Sequence, residues 1–391
     1  MKQNIGKYLV FLLIISSAAS MFAQELNITQ IDSSRALLDG QLEIYLSYSR
    51  SSGGNLAYPA MNKEGLEVLD QEGDPIRIGS LEEFPLRDEP ITFLFLMDNS
   101  GSMHDELLEG RSRYVNATRA LEGFLGSVPG NKDRFALAVF NTNYQVLVYP
   151  EEDTGRLIRG VSLIEPPAAG EGYTELYNSL IRSLDSLPTG PGRKVVILLS
   201  DGENYSVFRN SGQPHPEWGE DAPGADRVSA AFSQAGVSLY AASFSDTPDP
   251  ALRRLAAETG GAVYEPRNAA QLEAVYEDIR QRTLSEHRLS IPVPGIRELS
   301  GTLTVRYAGL EASREYRIPL IFGAASGISY LLPLILLAAV LIIMLILFLL
   351  SFEHAASSPQ LQNLGAAAWE EILPFSFNRM QRLSAPPGRP I

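Results

Sequence analysis

Residues 91–103 read ITFLFLMDNSGSM, a strand followed at once by a cluster of hard oxygen donors. Seven mostly apolar, strand-forming residues without a charge suit a strand buried on both faces. Asp98, Ser100 and Ser102 then place one carboxylate and two hydroxyls at alternate positions, and Gly101 between them permits a tight turn. Such oxygens suit a divalent cation. In open α/β sheets ligands bind beyond the carboxyl ends of the strands, which is where this cluster falls. The two serines also suit the cap of a helix starting near His104, a role compatible with metal binding.

Working outward, strands and amphipathic helices alternate. A helix is expected over 104–125, with Leu108, Val115, Leu121 and Leu125 near one face, then strands over 134–140 and 144–148, a helix over 174–187 and a continuous apolar strand over 193–199. Strands at 237–242 and 262–264, a helix over 250–259 and a helix carrying Leu272, Val275, Tyr276 and Ile279 complete the series. This alternation implies an α/β fold over 90–282, with a mostly parallel sheet covered on both faces.

The flanks speak a different language. Residues 41–48 alternate with Leu42, Ile44, Leu46 and Tyr48 on one face, and 66–70 reach a second expected strand at 75–78 through a turn at 72–74. Further on, 302–307 and 314–320 form an expected hairpin. Neither the segment 24–89 nor the segment 283–323 is large enough to bury both faces of its strands. The expectation is one β-sandwich assembled from both, with the α/β domain inserted between them.

The ends of the chain suggest export and anchoring. Lys2 and Lys7, a short apolar run and small residues up to Ala23 have the layout of a secretory signal over 1–23. The stretch 331–352 has no charge and meets the roughly 20 residues a spanning helix needs, so a transmembrane helix is expected over 329–352. Together they imply a single-pass type I protein with its ectodomain outside, periplasmic or extracellular, and a cytoplasmic tail over 353–391 open to a cytoplasmic partner. The short signal and the absence of cysteine favour a bacterial inner membrane. The tail sets three arginines against three glutamates and the leader carries two lysines, so the net charge of −14 leaves −16 on the exported part (−14 − 2), which argues against nucleic acid as a partner.

Two later segments carry further donors: Gly170-Glu171-Gly172-Tyr173-Thr174 puts a hydroxyl in a glycine-containing loop before a helix, and Ser200-Asp201-Gly202 puts a carboxylate at the end of the central strand. With Asp98, Ser100 and Ser102, this pattern resembles the von Willebrand factor type A domain and its metal-ion-dependent adhesion site. The resemblance covers about 90–282. It implies a Rossmann-like doubly wound fold in which Asp98, Ser100, Ser102, Thr174 and Asp201 surround Mg2+, with Mn2+ or Ca2+ as alternatives, directly or through water. It further implies that a protein partner's Asp or Glu completes the shell, as in adhesion. The long segment 203–224 leaves directly from Asp201, and Tyr173, Tyr205, Phe208 and Trp218 are candidate partner contacts; the other reading of Phe208 and Trp218 is that they pin this loop to its own domain.

An enzyme is not expected. The histidines at 104, 215, 287 and 354 are scattered, and no nucleophile elbow, phosphate loop or dinucleotide fingerprint is present. A second reading is an envelope-complex assembly factor, similar to the membrane-anchored type A domain proteins of aerotolerance operons, working with a cytoplasmic ATPase.

Overall fold

The computed structural model describes residues 23–356 apart from 35, 53–54, 106–111, 128–131, 202–203, 246–248, 294–298 and 319–330. The expected leader up to residue 22 and the tail from residue 357 lie outside the described residues. The chain divides into two compact units, 1–326 and 327–391, each described by itself.

The first unit begins with β1 (Ala23–Asp32), the helical turn α1 (Ala36–Asp39), β2 (Gln41–Ser52), β3 (Asn55–Ala57), β4 (Leu66–Leu69) and β5 (Ser80–Glu83). The α/β layer follows as β6 (Ile91–Asp98), α2 (Arg113–Ser127), β7 (Arg134–Phe140), β8 (Tyr144–Glu151), α3 (Thr154–Val161), α4 (Leu176–Ser183) and β9 (Arg193–Ser200). It continues with α5 (Val207–Ser211), α6 (Ala225–Ala235), β10 (Ser238–Ser243), α7 (Pro250–Glu258), β11 (Val263–Tyr264) and α8 (Ala269–Leu284). Then β12 (His287–Pro292), β13 (Ser300–Tyr307) and β14 (Leu310–Arg317) return to strands.

The central sheet runs β11-β10-β9-β6-β7-β8 and is parallel except for the antiparallel edge pair β7–β8. It is the mostly parallel α/β sheet expected of the sequence. Every residue of β6 and β9 is buried, which is why 93–97 and 195–199 are unbroken apolar runs. On one face Phe93, Phe95 and Met97 pack with Leu121 and Phe124 of α2 and Leu272 and Tyr276 of α8. On the other, Leu94 and Leu96 meet Leu176 and Leu180 of α4, Phe232 of α6 and Leu252 of α7. Helix starts are fixed by side-chain caps: Asp153, Asp249 and Asn268 each accept a backbone N–H of the first turn.

Three local expectations change. The helix expected from 104 begins at Arg113, after a 3-10 turn at Gly101–His104, and its expected first residues fall partly outside the described residues. The expected strand at 75–78 is only a bridge, Leu69 to Pro75 with Ile76 donating to the Val68 carbonyl at 2.7 Å. Pro75 has no N–H with which to extend a ladder. Strand β5, at Ser80–Glu83, pairs instead with β12. The helix expected over 174–187 starts at Leu176 and ends in a 3-10 turn at Leu184–Ser186, because Thr174 is taken into a bridge with Tyr205.

The flanking strands form two sheets. β2 pairs with β1, β3 and β12, and β12 with β5, while β13 joins β14 to β4. One apolar core lies between them, including Ile28, Ile44 and Leu289 with Val68, Leu303 and Val305, and Tyr48 meets Tyr307 edge to face at 5.1 Å.

Where these strands meet the central sheet the contact is polar and dry. Arg193, at the start of β9, donates to Glu286 at 2.7 and 2.8 Å, and both side chains have no exposure. Burial opposes the Arg193 charge, but the adjacent carboxylate outweighs it and holds the guanidinium above its usual range. Gln30 of β1 accepts from Arg193 at 3.2 Å, and its amide donates to the Gly192 carbonyl at 3.0 Å. Arg314 of β14 donates to the carbonyls of Ile28, Thr29 and Thr259 at 2.6–3.0 Å. Its pKa is pushed down to about 9 by burial and by the nearby Arg193. Gly260, at φ 75°, makes this approach possible, since a Cβ there would stand 2.5 Å from Arg314 Nη1.

The second unit contains one described helix, α9 (Leu331–Ala356), 26 residues and so about 39 Å long. Its side chains are described from 335 to 349, all of them apolar and most of them exposed. Over that shorter stretch, among the described residues, no helix is long and apolar enough to cross a membrane.

Breaking the buried pair on one side leaves an uncompensated charge. Glu286→Ala is therefore expected to cost about 3–5 kcal/mol, whereas Arg193→Met combined with Glu286→Leu recovers at least half of that loss. Urea unfolding midpoints at unchanged slope check both.

Candidate metal centre

Strand β6 delivers Asp98 to the carboxyl edge of the sheet with no solvent exposure. Its two oxygens are both engaged: the Ser100 backbone N–H donates to Oδ1 at 2.8 Å and the Ser200 hydroxyl to Oδ2 at 2.6 Å. The first of these bonds closes the turn that brings Ser100 and Ser102 back over the strand end, with their hydroxyls 3.3 Å apart. Asn99 braces that turn from behind, its N–H donating to the Phe140 carbonyl at 2.6 Å and its amide to the Glu165 carbonyl at 2.8 Å. Asn99 Oδ1 also lies 2.7 Å from His104 Nε2, and the His104 ring stacks on Tyr114 at 4.7 Å. That histidine is a prop of the turn.

The other two segments are fastened to the first. Gly101 donates to the Gly172 carbonyl at 3.5 Å, which sets the 170–174 loop against the serine turn. Thr174 and Tyr205 exchange both backbone hydrogen bonds at 3.0 Å, so the loop before α4 and the segment after β9 are zipped together. The buried Glu175 carboxylate reinforces this by accepting from Val207 N–H at 2.6 Å and from the Asn178 amide at 3.1 Å. Asp201 follows directly from β9, its Oδ2 3.9 Å from Arg113 Nη1, and Arg113 also donates to the Ser102 carbonyl at 3.1 Å.

Burial pushes the Asp98 carboxyl up to about 6, and the charge of Asp201 adds to the rise; hydrogen bonds from Ser200 and Ser100 oppose it. A divalent cation would relieve both the desolvation and the carboxylate repulsion. The donor set fits a small hard ion: two carboxylates, of Asp98 and Asp201, and the neutral hydroxyls of Ser100, Ser102 and Thr174. An octahedron with bonds of about 2.1 Å has edges of about 3 Å, close to the 3.3 Å between the two serine hydroxyls. Among the described residues no group of three or more His, Asp or Glu gathers as metal ligands, so any cation held here relies on hydroxyls.

Of the candidate partner contacts, Tyr173 and Tyr205 are brought together, stacked at 5.6 Å with 11° between their planes, and Tyr205 is 54% exposed. Trp218 behaves differently. It stacks on His215 at 4.2 Å, and His215 Nδ1 accepts from the Glu217 and Trp218 N–H groups, leaving the Nε2 proton to face the Thr142 carbonyl at 2.7 Å. This aromatic pair fastens its loop to the domain. Phe208 is half-buried in α5.

Residues 93–203 match the family model of the von Willebrand factor type A domain. This part of the chain is a von Willebrand factor type A domain. No curated protein matches the sequence. Among solved structures, the chain is similar to an aerotolerance-related membrane protein from Bacteroides fragilis, with 14% identity, a TM-score of 0.38, and coverage of 49% of this chain and 99% of that one. It is likewise similar to BatB from Bacteroides thetaiotaomicron, with 16% identity, a TM-score of 0.37, and coverage of 49% and 98%. A third similarity is to proximal thread matrix protein 1 from the mussel byssus with a zinc-occupied MIDAS motif, with 16% identity, a TM-score of 0.39, and coverage of 52% and 48%.

The type A domain holds its ligand candidates with residues the sequence did not single out. Ser200 was legible only as part of a strand end, although a hydroxyl closing an aliphatic run is a usable signal. Asn99 and Glu175 reach Glu165 and Val207, 66 and 32 residues away, and no spacing rule announces them.

Ser200→Ala leaves one buried Asp98 oxygen without its donor. Hydrogen bonds to charged groups contribute about 1.5–3 kcal/mol, and a loss of that size is expected in chemical denaturation carried out with chelator present.

Proposed function

We propose that the protein is a membrane-anchored, exported binding protein whose type A domain captures a carboxylate on a protein partner through a divalent cation, Mg2+ by the chemistry of the donor set. The observation that carries this reading is the pairing of the fully buried Asp98 with hydroxyls set at an octahedral edge from one another. Asp98, Ser100, Ser102, Thr174 and Asp201 would hold the ion directly or through water. Two carboxylates leave a bound Mg2+ with affinity for a further anion, and a partner Asp or Glu supplies it. The stacked Tyr173 and Tyr205 offer an apolar shelf beside that position, where aromatic side chains favour protein contacts. The reading assigns no catalytic role to any residue: among the described residues the site presents oxygen ligands, and His104 beside it is taken up by Asn99.

Anchoring is supported by the composition of α9, in which every described side chain is apolar along a helix of 26 residues. The second reading, an assembly factor for an envelope complex working with a cytoplasmic ATPase, draws its support from the order of domain, apolar helix and tail. Dependence of function on residues 353–391 separates it from simple capture.

Thermal unfolding of the full chain with Mg2+ or chelator tests the metal. A ligand at 100 times its Kd stabilises by about 2.7 kcal/mol, so Mg2+ is expected to raise the Tm of the wild type by several degrees and to leave Asp98→Ala unmoved. An equal rise in both proteins would refute the assignment.

A further inference from the structure

We propose that Arg113 is a second anion contact on the rim of the metal centre, so that the site reads a partner segment with two neighbouring acidic groups. This deepens the carboxylate-capture reading and rests on it. Arg113 is poised beside Asp201 without being consumed by it: the 3.9 Å between Nη1 and Oδ2 is longer than a hydrogen bond. Other arginines of the domain show the alternative, with Arg156 at 3.0 Å from Glu151, Arg227 at 2.6 Å from Asp221 and Arg282 at 2.7 Å from Asp278. Arg113 Nη1 is steered by the Ser102 carbonyl, while Nε is buried with no partner among the described residues. The side chain is 26% exposed, so it is both held and reachable.

The position of Arg113 in the helix points the same way. It is the first residue of the 15-residue α2, where the helix dipole favours acidic side chains and disfavours a cation. Capping does not explain it, because the Ser112 hydroxyl already accepts from the Val115 N–H at 3.2 Å. A guanidinium placed against the dipole, steered by a carbonyl of the ligand turn and loosely set against a ligand carboxylate is arranged for an incoming anion. When a cation draws on the Asp201 carboxylate, Arg113 loses its nearest counter-charge among the described residues. A second carboxylate on the partner then supplies it, and the planar fork of arginine suits a carboxylate better than a point charge does.

The test uses the full chain in detergent micelles, with Mg2+ and two end-capped peptide probes, Gly-Asp-Gly and Gly-Asp-Gly-Asp-Gly, followed by calorimetry. Wild type is expected to bind Mg2+ and to prefer the two-acid peptide by about tenfold, the size of one charge-assisted contact. Arg113→Ala is expected to bind Mg2+ at least as tightly, since a neighbouring cation is gone, and to lose the preference while still binding the one-acid peptide. Arg113→Lys should retain part of it. Equal binding of the two peptides by wild type, or a preference that survives in Arg113→Ala, overturns the role of Arg113 and leaves carboxylate capture standing. Loss of Mg2+ binding in Arg113→Ala overturns it too, by making Arg113 a structural support of the ligand turn. If Mg2+ binds and neither peptide does, carboxylate capture itself fails and the inference falls with it.

Discussion

A guanidinium with no access to water must be answered by its surroundings, and the Arg193–Glu286 pair imposes that condition on the whole first unit. Arg193 begins β9, the strand beside β6 at the centre of the sheet, and Glu286 immediately precedes β12, which sits between β2 and β5 of the sandwich. The pair can form only if the chain, having left the sandwich at β5, returns to it at β12 in the observed register. Such a pair is weak evidence for stability, since burying two charges costs about as much as their attraction returns. Its physical consequence here is orientation. Gln30 and the carbonyls held by Arg314 pair further polar groups at the join, and the Ser238 hydroxyl adds a bond to the Thr29 carbonyl. A slip of either sheet by one residue would leave several of these groups buried and unpaired.

The same strand ties that join to the candidate metal centre. β9 starts at Arg193 and ends at Ser200, whose hydroxyl holds Asp98, so the two features stand at opposite ends of eight residues, about 23 Å apart along the strand. Both ends are dry, and residues 195–199 between them are aliphatic and packed on both faces. The ligand turn is therefore built on one of the most constrained parts of the molecule. A site on a buried strand end keeps its donors within a narrow geometry, which a small cation of strict octahedral preference requires.

What the sequence made legible follows from the range of the forces involved. β6 and β9 were readable because burial on both faces forces an unbroken apolar run, and the helices of the layer because their buried side chains recur at helical spacing. The strand expected at 75–78 failed because propensity was weighed without the missing N–H of Pro75, and pairing shifted to Ser80–Glu83. Trp218 was ambiguous because an aromatic in a polar loop packs inward or faces a partner by contacts that lie elsewhere, here His215 and Thr142. Asp98, Ser100 and Ser102 were conspicuous through local alternation. The residues that brace them, Asn99 and Glu175, are visible only once three distant segments share one edge.

On the proposed reading, an acidic protein that captures carboxylates works against its own field. The net charge of −14 repels an acidic partner at long range, though salt screens that repulsion beyond about 8 Å. Attraction must then be local, concentrated where cationic charge is exposed and fixed. On the proposed reading a divalent cation held by only two carboxylates is one such point, and Arg113 beside Asp201 is the other. Encounter with an acidic partner is consequently slow at low ionic strength and quickens as salt screens the surface, the reverse of an interface steered by opposite charge. Affinity then comes from the desolvated contact at the strand end and from the time a partner stays there.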